Sequence, residues 1–487
     1  MQSDGRRWSE PNFREKFGRR AGFRSVSQSA ELLVHAHRVH MVGIGGSGMA
    51  ALSSLLLQMG KELSGSDVLG GPTIEALRGA GAIVYGAHAA SNVGEDVDYV
   101  VRSSAVPQEN AEVVEAERRG LPNRKLAEAV GELMRTRSGV AIAGTHGKTT
   151  TTALVTWLLE QGGVDPLALI GADTPRYAHG ARLGEGPMVV EADEYDRRFL
   201  AYWPEVAVVT SIEADHLDYY RDLDEIRAAF GELVERLPAD GRLVVCADEP
   251  CAAGLNSRAR KETYGFAYDA DWRIEDYAPE VGRGARFSLQ SGGRTWQIES
   301  PLVGEHNARN AAAAIAVADY FGVGIRVAAA ALPAFEGPHR RFETRGRPRG
   351  VWVVDDYGHH PTEVSAVLRA ARSVAEGEVW IVFQPHTTHR TWALLTDFAG
   401  AFDAADHVLI LPTYRPSGRD SDGPSVSSEE LTEAIGRHGH ADTRYVPDFE
   451  VACETVVRNA KRGDLVLTMG AGDVTRLAGQ LVEALGA

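Results

Sequence analysis

Residues 141–152 read AIAGTHGKTTTT, and this stretch decides how the fold is interpreted. Its apolar start predicts a buried strand and its threonine-rich end opens a predicted helix, so a glycine-rich turn joins the two. Glycines such as Gly144 and Gly147 let backbone N–H groups face phosphates, and the helix N-terminus adds positive potential. Lys148 can reach the β- and γ-phosphates of a nucleotide, and the Thr149 hydroxyl can bind Mg²⁺. The stretch therefore predicts a nucleotide-binding turn in an α/β domain.

The turn is shorter than the common phosphate loop G-x-x-x-x-G-K-[ST]. The first glycine of that pattern would fall at Ile142, so we interpret Ile142 as part of the strand and begin the functional loop at Gly144. The alternative is an ordinary strand-to-helix turn that contains a Gly-Lys pair. The order of strand, Gly-Lys-Thr and helix favours the phosphate-binding interpretation.

Acidic residues and a histidine follow the next two apolar runs. MVVEADE places Glu191 at the end of one predicted strand, and VTSIEADHLD places Asp215 and His216 after the next. Ligands gather at the carboxyl ends of parallel strands, so we expect three loops to converge on one Mg²⁺–phosphate centre. A histidine such as His216 is more often structural than a metal ligand, but its place after a third strand favours metal binding.

The length and composition limit the class of protein. At 487 residues the chain is too long for one core, and domains of about 100–200 residues predict three. The net charge of −16 argues against a general nucleic-acid binder. The three cysteines form no C-x-x-C pair, which indicates a reducing cytoplasm. No apolar run approaches the roughly 20 residues that cross a bilayer, so we expect no membrane insertion.

Short apolar runs alternate with helical patterns in three blocks, which predicts parallel α/β architecture. The expected division is a disordered, arginine-rich N-terminal tail that is no secretory signal, followed by three domains, at residues 1–34, 35–137, 138–337 and 338–487. Alternation over residues 272–300 predicts a small antiparallel insert in the second block. The third block has a doubly wound pattern, and residues 415–425 are expected to form a flexible loop.

The first block carries a second glycine-rich turn. Gly43, Gly45 and Gly48 match G-x-G-x-x-G, and Asp67 follows about 20 residues later. This fingerprint is typical of NAD binding, but any diphosphate can lie at such a helix N-terminus. The turn therefore predicts a diphosphate site without identifying its ligand.

The third block offers two histidine-rich stretches at predicted strand ends, DDYGHHP and QPHTTHR. Arg390 in the second stretch provides a guanidinium fork that fits a carboxylate. The alternative interpretation is a pair of capped helix starts, which also applies to Pro361, since proline suits the first helical turn.

Taken together, these stretches resemble the Mur ligase family from about Val39 to the C-terminus. The resemblance rests on GIGGSGM, SGSD, SSAV, GTHGKTTTT, EADE, IEADHLD, GEHNARNA, RRFE, DDYGHHPTE and FQPH, in this order. It implies a Rossmann-like UDP-binding domain, a central P-loop ATPase domain and a C-terminal Rossmann-like domain. In that family the short loop G-T-x-G-K-T is the usual form.

The resemblance also implies an activity and its participants. It implies ATP-dependent ligation of L-alanine to the lactyl carboxylate of UDP-N-acetylmuramate through an acyl phosphate, giving ADP and phosphate, in peptidoglycan precursor synthesis. The implied cofactors are ATP and Mg²⁺. We expect a cytoplasmic monomer or weak homodimer that binds no nucleic acid.

Residue roles follow from the resemblance, motif by motif. The implied UDP-substrate residues are Gly45, Gly46, Ser47, Gly48, Asp67, His88, Ser103 and Ser104. The implied ATP-binding residues are Gly144, Thr145, His146, Gly147, Lys148, Thr149, Thr150, His306, Asn307, Asn310, Arg341 and Asp356. Thr149, Glu191 and His216 are the implied metal ligands, and Tyr357, His359 and Arg390 would position the amino acid. Lys148, His359 and Arg390 are the expected catalytic residues, with His359 as the candidate general base because an ordinary imidazole pKa suits proton uptake.

The sequence departs from the family pattern in places that bear on the substrate. EADEYD stands where EADESD is frequent, Thr387 replaces an arginine of some members, and Phe230 lies where several siblings carry a modified lysine. The last difference favours the alanine-adding branch or the branch that recycles murein tripeptide. DDYGHHP favours L-alanine. An NAD-dependent oxidoreductase and a non-catalytic nucleotide-binding regulator remain as alternatives of other classes.

Overall fold

The computed structural model describes residues 32–415 and 424–486. Nearly all of the tail expected at 1–34, and the middle of the expected flexible loop, at 416–423, lie outside the described residues. The first described element is a short helix, α1 (Leu32–His35). This first described helix begins at Leu32, just before the boundary expected at residue 35. No helix within the described ranges has the length and apolar character needed to span a membrane.

The N-terminal sheet has five strands, all parallel, in the order β3-β2-β1-β4-β5. They are β1 (Arg38–Val42), β2 (Glu62–Ser66), β3 (Ile83–Tyr85), β4 (Tyr99–Arg102) and β5 (Asn123–Lys125). The helices of this part are α2 (Ser47–Gln58), α3 (Pro72–Gly79), α4 (Ala111–Arg118) and α5 (Leu126–Met134). The strand order reverses at β1, so the glycine-rich turn after β1 lies at a topological switch point, where α/β sheets bind ligands.

The central sheet has ten strands in the order β15-β14-β13-β12-β11-β10-β6-β9-β7-β8. They are β6 (Gly139–Ala143), β7 (Leu167–Leu169), β8 (Ala181–Arg182), β9 (Met188–Ala192), β10 (Val206–Val209), β11 (Arg242–Cys246), β12 (Arg260–Gly265), β13 (Trp272–Glu280), β14 (Gly284–Ser291) and β15 (Arg294–Ser300). The helices are α6 (Lys148–Gln161), α7 (Leu223–Glu235), α8 (Pro250–Ala253), α9 (Glu305–Tyr320) and α10 (Ile325–Ala331). The expected antiparallel insert is confirmed, because β13, β14 and β15 pair antiparallel while β13 joins β12 in parallel.

The C-terminal sheet has six strands in the order β16-β17-β21-β18-β19-β20, parallel except for the β16–β17 pair. They are β16 (Glu343–Gly346), β17 (Trp352–Asp356), β18 (Val379–Phe383), β19 (His407–Ile410), β20 (Thr443–Tyr445) and β21 (Leu465–Met469). The helices are α11 (Pro361–Val374), α12 (Thr388–Ala393), α13 (Leu395–Ala399), α14 (Ser428–His438), α15 (Phe449–Asn459) and α16 (Thr475–Gly486). The expected α/β architecture with three sheets is confirmed.

Small residues allow α6 and α9 to pack closely in the central part. Ala311 and Ala314 of α9 are fully buried, and Thr151 of α6 donates a hydrogen bond to Asn310 of α9 over 3.2 Å. Strand β6 ends at Ala143, immediately before the loop, and Ile142 is completely buried within it. The packing fixes the N-terminus of α6 at the carboxyl end of the sheet.

Candidate functional site

The loop between β6 and α6 is held by the segment that follows β10. Thr145 N–H donates to Ser211 O over 2.9 Å, and His146 N–H donates to Ser211 Oγ over 3.1 Å. Gly144 has a φ of 132°, and a Cβ there would overlap the Thr210 hydroxyl. The two adjacent parallel strands therefore carry their loops as one bonded unit, and only glycine fits at the point of closest approach.

Lys148 lies at the start of α6 with its ammonium group turned back into the loop. Nζ donates to Gly144 O over 2.5 Å and to Thr145 O over 3.1 Å, and it lies 2.9 Å from Glu194 Oε2. Burial lowers the pKa of Lys148, but the surrounding carboxylates, Glu194 first, outweigh burial and raise it. Lys148 is therefore a fixed cation. Glu194 was missed from the sequence, although it is the last residue of the EADE motif.

Thr149 and Glu191 form a pair of oxygen donors beside this lysine. Thr149 Oγ1 donates to Glu191 Oε2 over 2.9 Å, and Gly171 N–H donates to the same carboxylate oxygen over 3.1 Å. The ring of His216, in the loop after β10, lies 4.8 Å from the ring of Tyr195. His216 is also close enough to Glu194 to contribute to the pKa of that carboxyl group. The loops that carry the expected metal ligands thus lie on three neighbouring strands.

A cavity of about 300 Å³ opens between the loop, α9 and the start of the C-terminal part. Eight expected nucleotide-binding residues line it: His146, Gly147, Thr150, His306, Asn307, Asn310, Arg341 and Asp356. Burial, with a contribution from Arg309, lowers the pKa of His306 to about 4, so its imidazole is neutral at neutral pH. Tyr264 and Phe342 also line the cavity and were not identified from the sequence. Tyr264 lies in none of the quoted motifs, whereas Phe342 belongs to the quoted RRFE stretch.

Asp356 closes this cavity from the C-terminal side. Its carboxylate accepts hydrogen bonds from Phe342 N–H over 2.8 Å and from Gly358 N–H over 2.7 Å. Burial raises the pKa of Asp356 to about 6. Arg341 reaches from the same part to the loop, where Nη2 donates to Thr149 Oγ1 over 3.3 Å. The C-terminal part therefore completes a site whose floor belongs to the central part.

Two of the three residues expected to hold the amino acid, His359 and Arg390, contact His386, and the third, Tyr357, contacts His359. The His359 ring lies 5.5 Å from the Tyr357 ring and 5.4 Å from the His386 ring, and Arg390 Nη1 lies 3.3 Å from His386 Nδ1. Arg390 is also bonded to Asp215, with Nη2 3.0 Å from Oδ1. His386 was missed as a site residue, although it belongs to the quoted PHTTHR stretch.

The environment of His359 differs from the one expected of a general base. Burial first, and then the Arg390 guanidinium, lower the pKa of His359 to about 3. The expectation of an ordinary imidazole pKa is therefore wrong. His359 is a neutral hydrogen-bonding group at neutral pH, because a buried imidazole beside a fixed cation resists protonation.

The N-terminal sheet carries the remaining expected residues in a separate site. Gly45 N–H donates to Asp67 Oδ2 over 2.8 Å, and Gly46 directly precedes Ser47, the first residue of α2. Ser103 N–H donates to the carbonyl of Val42 over 2.9 Å, at the carboxyl end of β4. The turns after β1, β2 and β4 thus meet around the N-terminus of α2, as a diphosphate site requires.

Behind this turn lies a buried polar cluster that the sequence did not reveal. The fully buried Glu112 carboxylate accepts hydrogen bonds from Ser66 Oγ over 2.5 Å and from Asn92 Nδ2 over 2.6 Å. His88 Nδ1 lies 2.8 Å from Ser66 Oγ and 3.3 Å from Glu112 Oε2. Burial raises the pKa of Glu112, but His40, whose Nε2 lies 3.5 Å from Oε2, and the hydrogen bonds from Ser66 and Asn92 outweigh burial and bring it to about 2. This cluster fixes His88, one of the expected UDP-substrate residues.

The fold and the site define a class of enzyme. A glycine-rich loop with a fixed lysine, a carboxylate at a neighbouring strand end and two flanking α/β domains are the parts of a nucleotide-dependent transferase or ligase. The family models that match are the Mur ligase family catalytic domain over residues 38–138, the Mur ligase middle domain over 142–318 and the Mur ligase glutamate ligase domain over 340–472. The chain therefore belongs to the Mur ligase family, as the sequence resemblance predicted. The protein is an ATP-dependent ligase.

Individual proteins and solved structures of this family are similar to the chain over most of its length. UDP-N-acetylmuramate–L-alanine ligase of Syntrophotalea carbinolica is 41% identical over 450 residues, covering 92% of this chain and 98% of that protein. The ligase of the same name from an Anaeromyxobacter species is 43% identical, with 92% and 98% covered. The crystal structure of UDP-N-acetylmuramate-alanine ligase from Thermotoga maritima has a TM-score of 0.77 at 27% identity, covering 92% of this chain and 99% of that one. A murein peptide ligase structure from Psychrobacter arcticus has a TM-score of 0.66 at 27% identity, with 92% and 99% covered.

Proposed function

We propose that this protein joins L-alanine to the lactyl carboxylate of UDP-N-acetylmuramate, with conversion of ATP to ADP and phosphate, in the synthesis of peptidoglycan precursors. The observation that carries the proposal is the position of residues 210–216 between two sites. Ser211 bonds the phosphate loop, and Asp215 bonds Arg390, the carboxylate-binding fork. The relatives at 41% and 43% identity carry this activity in their names.

Phosphoryl transfer is the first step of the proposed reaction. A lactyl carboxylate oxygen attacks the γ-phosphorus of ATP, and the bond to the β–γ bridging oxygen breaks, which releases ADP and leaves an acyl phosphate. Two anions must approach each other, so the protein contributes charge and orientation rather than covalent chemistry. Lys148 supplies a fixed cation at the loop, and the N–H groups at the start of α6 face the phosphates.

Metal binding belongs to the same proposal. Thr149 Oγ1 and Glu191 Oε2 are hard oxygen donors 2.9 Å apart, which fits the ligand preference of Mg²⁺. Thr149 and Glu191 would hold the ion, with His216 reaching it from the loop after β10. Bound Mg²⁺ supplies positive charge to the β- and γ-phosphate oxygens.

Amide formation is the second step. The amine of L-alanine attacks the acyl carbon, and the tetrahedral intermediate expels inorganic phosphate. Arg390 would bind the alanine carboxylate through its guanidinium fork. His359 and Tyr357 would orient the amine, and the neutral His359 imidazole can accept a hydrogen bond from it. The proton of the alanine ammonium group must leave before attack, and His359 is a weak base for that transfer.

The remaining assignments extend the proposal to the whole chain. The UDP-substrate domain would comprise residues 35–137, the ATP-binding domain 138–337 and the amino-acid domain 338–487. Residues Gly45, Gly46, Ser47 and Gly48 would face the UDP diphosphate, with Asp67, His88, Ser103 and Ser104 around the rest of the nucleotide. We propose a cytoplasmic enzyme that acts as a monomer or weak homodimer.

A phosphate-release assay tests the function. Purified protein with ATP, Mg²⁺ and UDP-N-acetylmuramate should release phosphate rapidly only after L-alanine is added, and mass spectrometry should show the alanyl product. Stimulation by murein tripeptide without stimulation by L-alanine would assign the protein to the recycling branch instead. Binding of NADH without affinity for the UDP sugar would overturn the proposal entirely. UDP-N-acetylglucosamine is the control substrate for both L-alanine and murein tripeptide. It lacks the lactyl carboxylate and should give no product.

A further inference from the structure

Two histidines and a glutamate meet where the central and C-terminal parts touch. His146 belongs to the phosphate loop, Glu213 follows β10, and His360 directly precedes α11. One ligand atom from each residue lies within 4.8 Å of the other two. We propose that His146, Glu213 and His360 form a binding site for a borderline transition-metal dication such as Zn²⁺, separate from the proposed Mg²⁺ site.

The distances suit such an ion with small side-chain rotations. Glu213 Oε2 lies 3.5 Å from His146 Nε2 and 3.9 Å from His360 Nδ1. Ligand atoms around a tetrahedral Zn²⁺ are about 3.3 Å apart, since each bond is about 2.0–2.1 Å long. The rings of His146 and His360 are 4.7 Å apart between centroids. A rotation of either ring toward Glu213 closes the remaining gap.

The ring nitrogens are available for ligation. His146 Nε2, the ring atom that faces Glu213, has no hydrogen-bond partner within the described residues. His360 Nδ1 accepts only a long hydrogen bond of 3.3 Å from Thr362 N–H. A buried ring nitrogen without a partner is costly, and coordination of a cation would satisfy it.

The outer contacts are those that support a metal site. His146 Nδ1 lies 3.2 Å from Glu363 Oε1, a carboxylate–histidine pair that leaves Nε2 for the ion. Thr362 Oγ1 donates to Glu213 Oε2 over 2.6 Å and orients that carboxylate.

The donor set selects the class of metal. Two imidazoles and one carboxylate match Zn²⁺, Ni²⁺ and Co²⁺, whereas Mg²⁺ prefers sites in which oxygen ligands predominate. The proposed Mg²⁺ ligands Thr149, Glu191 and His216 share no residue with this set. Because the new site draws ligands from both parts of the chain, a bound Zn²⁺ would hold α11 against the phosphate loop.

Direct binding of Zn²⁺ tests the site independently of the ligase reaction. The full chain, free of nucleotide and in excess Mg²⁺, should bind one equivalent of Zn²⁺ in competition with a chromophoric chelator. Glu213→Gln and His360→Gln, one from each part, should each weaken binding about 10- to 100-fold. The matched control is His407→Gln. His407 also lies between two carboxylates, Glu378 and Asp442, but it does not belong to the proposed metal site.

The outcomes separate the site from adventitious binding. Unchanged affinity in both ligand variants, equal loss in His407→Gln, or no stoichiometric binding by the unmodified chain would each overturn the proposal. Co²⁺ gives a second test on the unmodified protein, since tetrahedral coordination by nitrogen and oxygen produces strong visible absorption and surface binding to water ligands does not. Weak octahedral bands alone would also count against the site. Ligase activity without Zn²⁺ binding would leave the proposed function intact.

Discussion

Arg390 of the C-terminal part and Asp215 of the central part form a partly buried ion pair. Arg390 Nε lies 3.1 Å from Asp215 Oδ1, and Nη2 lies 3.0 Å and 3.3 Å from the two carboxylate oxygens. Burial raises the pKa of Asp215, but Arg390 outweighs burial and lowers it well below its usual range. Asp215 thus occupies the fork that we propose for the alanine carboxylate, so the two carboxylates compete for one guanidinium.

Arg390→Lys should raise the KM for L-alanine about 10- to 100-fold, because a lysine ammonium cannot form the two parallel hydrogen bonds of a guanidinium. The KM for ATP should change less than about threefold. Steady-state phosphate release with each substrate varied in turn measures both. Arg444→Lys is the control, since Arg444 pairs with Asp442 at an exposed position. An unchanged KM for L-alanine would place the amino acid elsewhere.

Asp215→Asn tests whether the Asp215 carboxylate competes with the alanine carboxylate for Arg390. Without the charge on Asp215, Arg390 loses its strongest partner, and L-alanine should bind with a KM several-fold lower than in the unmodified enzyme. Titration calorimetry of L-alanine into the enzyme with UDP-N-acetylmuramate and a non-hydrolysable ATP analogue separates binding from turnover. A raised dissociation constant would instead mean that Asp215 positions Arg390 for the ligand.

Lys148→Ala should abolish product formation and leave the affinity for the UDP substrate within about twofold. Lys148 begins α6, which follows a strand of the central sheet, whereas the proposed UDP site is built on the N-terminal sheet. Calorimetry with UDP-N-acetylmuramate and the phosphate-release assay give the two readouts. Lys461→Ala, at an exposed lysine, provides the control. Equal loss of binding and turnover would contradict the assignment of separate sites.

Glu112→Gln should destabilise the N-terminal part by about 3–4 kcal/mol at pH 7, since a pKa held near 2 instead of 4.5 corresponds to that free energy. This stabilisation is present above about pH 4.5 and disappears as the pH falls toward 2. Hydrogen exchange of the β1 amides at pH 7 and pH 4 measures the change. Glu117→Gln, exposed on the same helix, should have little effect. Equal destabilisation by both variants would show that burial of the charge is irrelevant.

His359→Gln should lower kcat/KM without moving the midpoint of its acidic limb. A group with a pKa of about 3 is already neutral throughout the range from pH 5 to 9, so its ionisation cannot set that limb. Rate profiles of both enzymes with saturating ATP give the comparison. Disappearance of the acidic limb in the variant would restore His359 as the general base.

Local patterns were sufficient to predict the strands that carry the site. GVAIA is apolar throughout, and the structure confirms it as β6 with Ile142 buried. The short strands β16 and β20 were missed because ETRG and TRY show no apolar run. Their place at the two sheet edges depends on neighbours rather than on their own composition.

The site was predictable where a motif holds its residues together and unpredictable where distant segments meet. Lys148, Thr149 and Glu191 come from motifs with a chemical reason for each residue. Glu112 has no such motif, because its partners His40, Ser66 and Asn92 come from three other segments. The low pKa of His359 likewise results from burial and from Arg390, which lies thirty-one residues further along. Pattern alone does not encode such environments.

The hydrogen bonds from the phosphate loop to residues 210–211 have a thermodynamic consequence. Asp215 belongs to the same segment as Ser211, which bonds the phosphate loop. An alanine carboxylate that displaces Asp215 from Arg390 would therefore alter the hydrogen bonds that position this loop. Linkage then requires reciprocity: any factor by which L-alanine changes the affinity for ATP is the factor by which ATP changes the affinity for L-alanine. The coupling between the two substrates would then depend on one short stretch of backbone, residues 210–216.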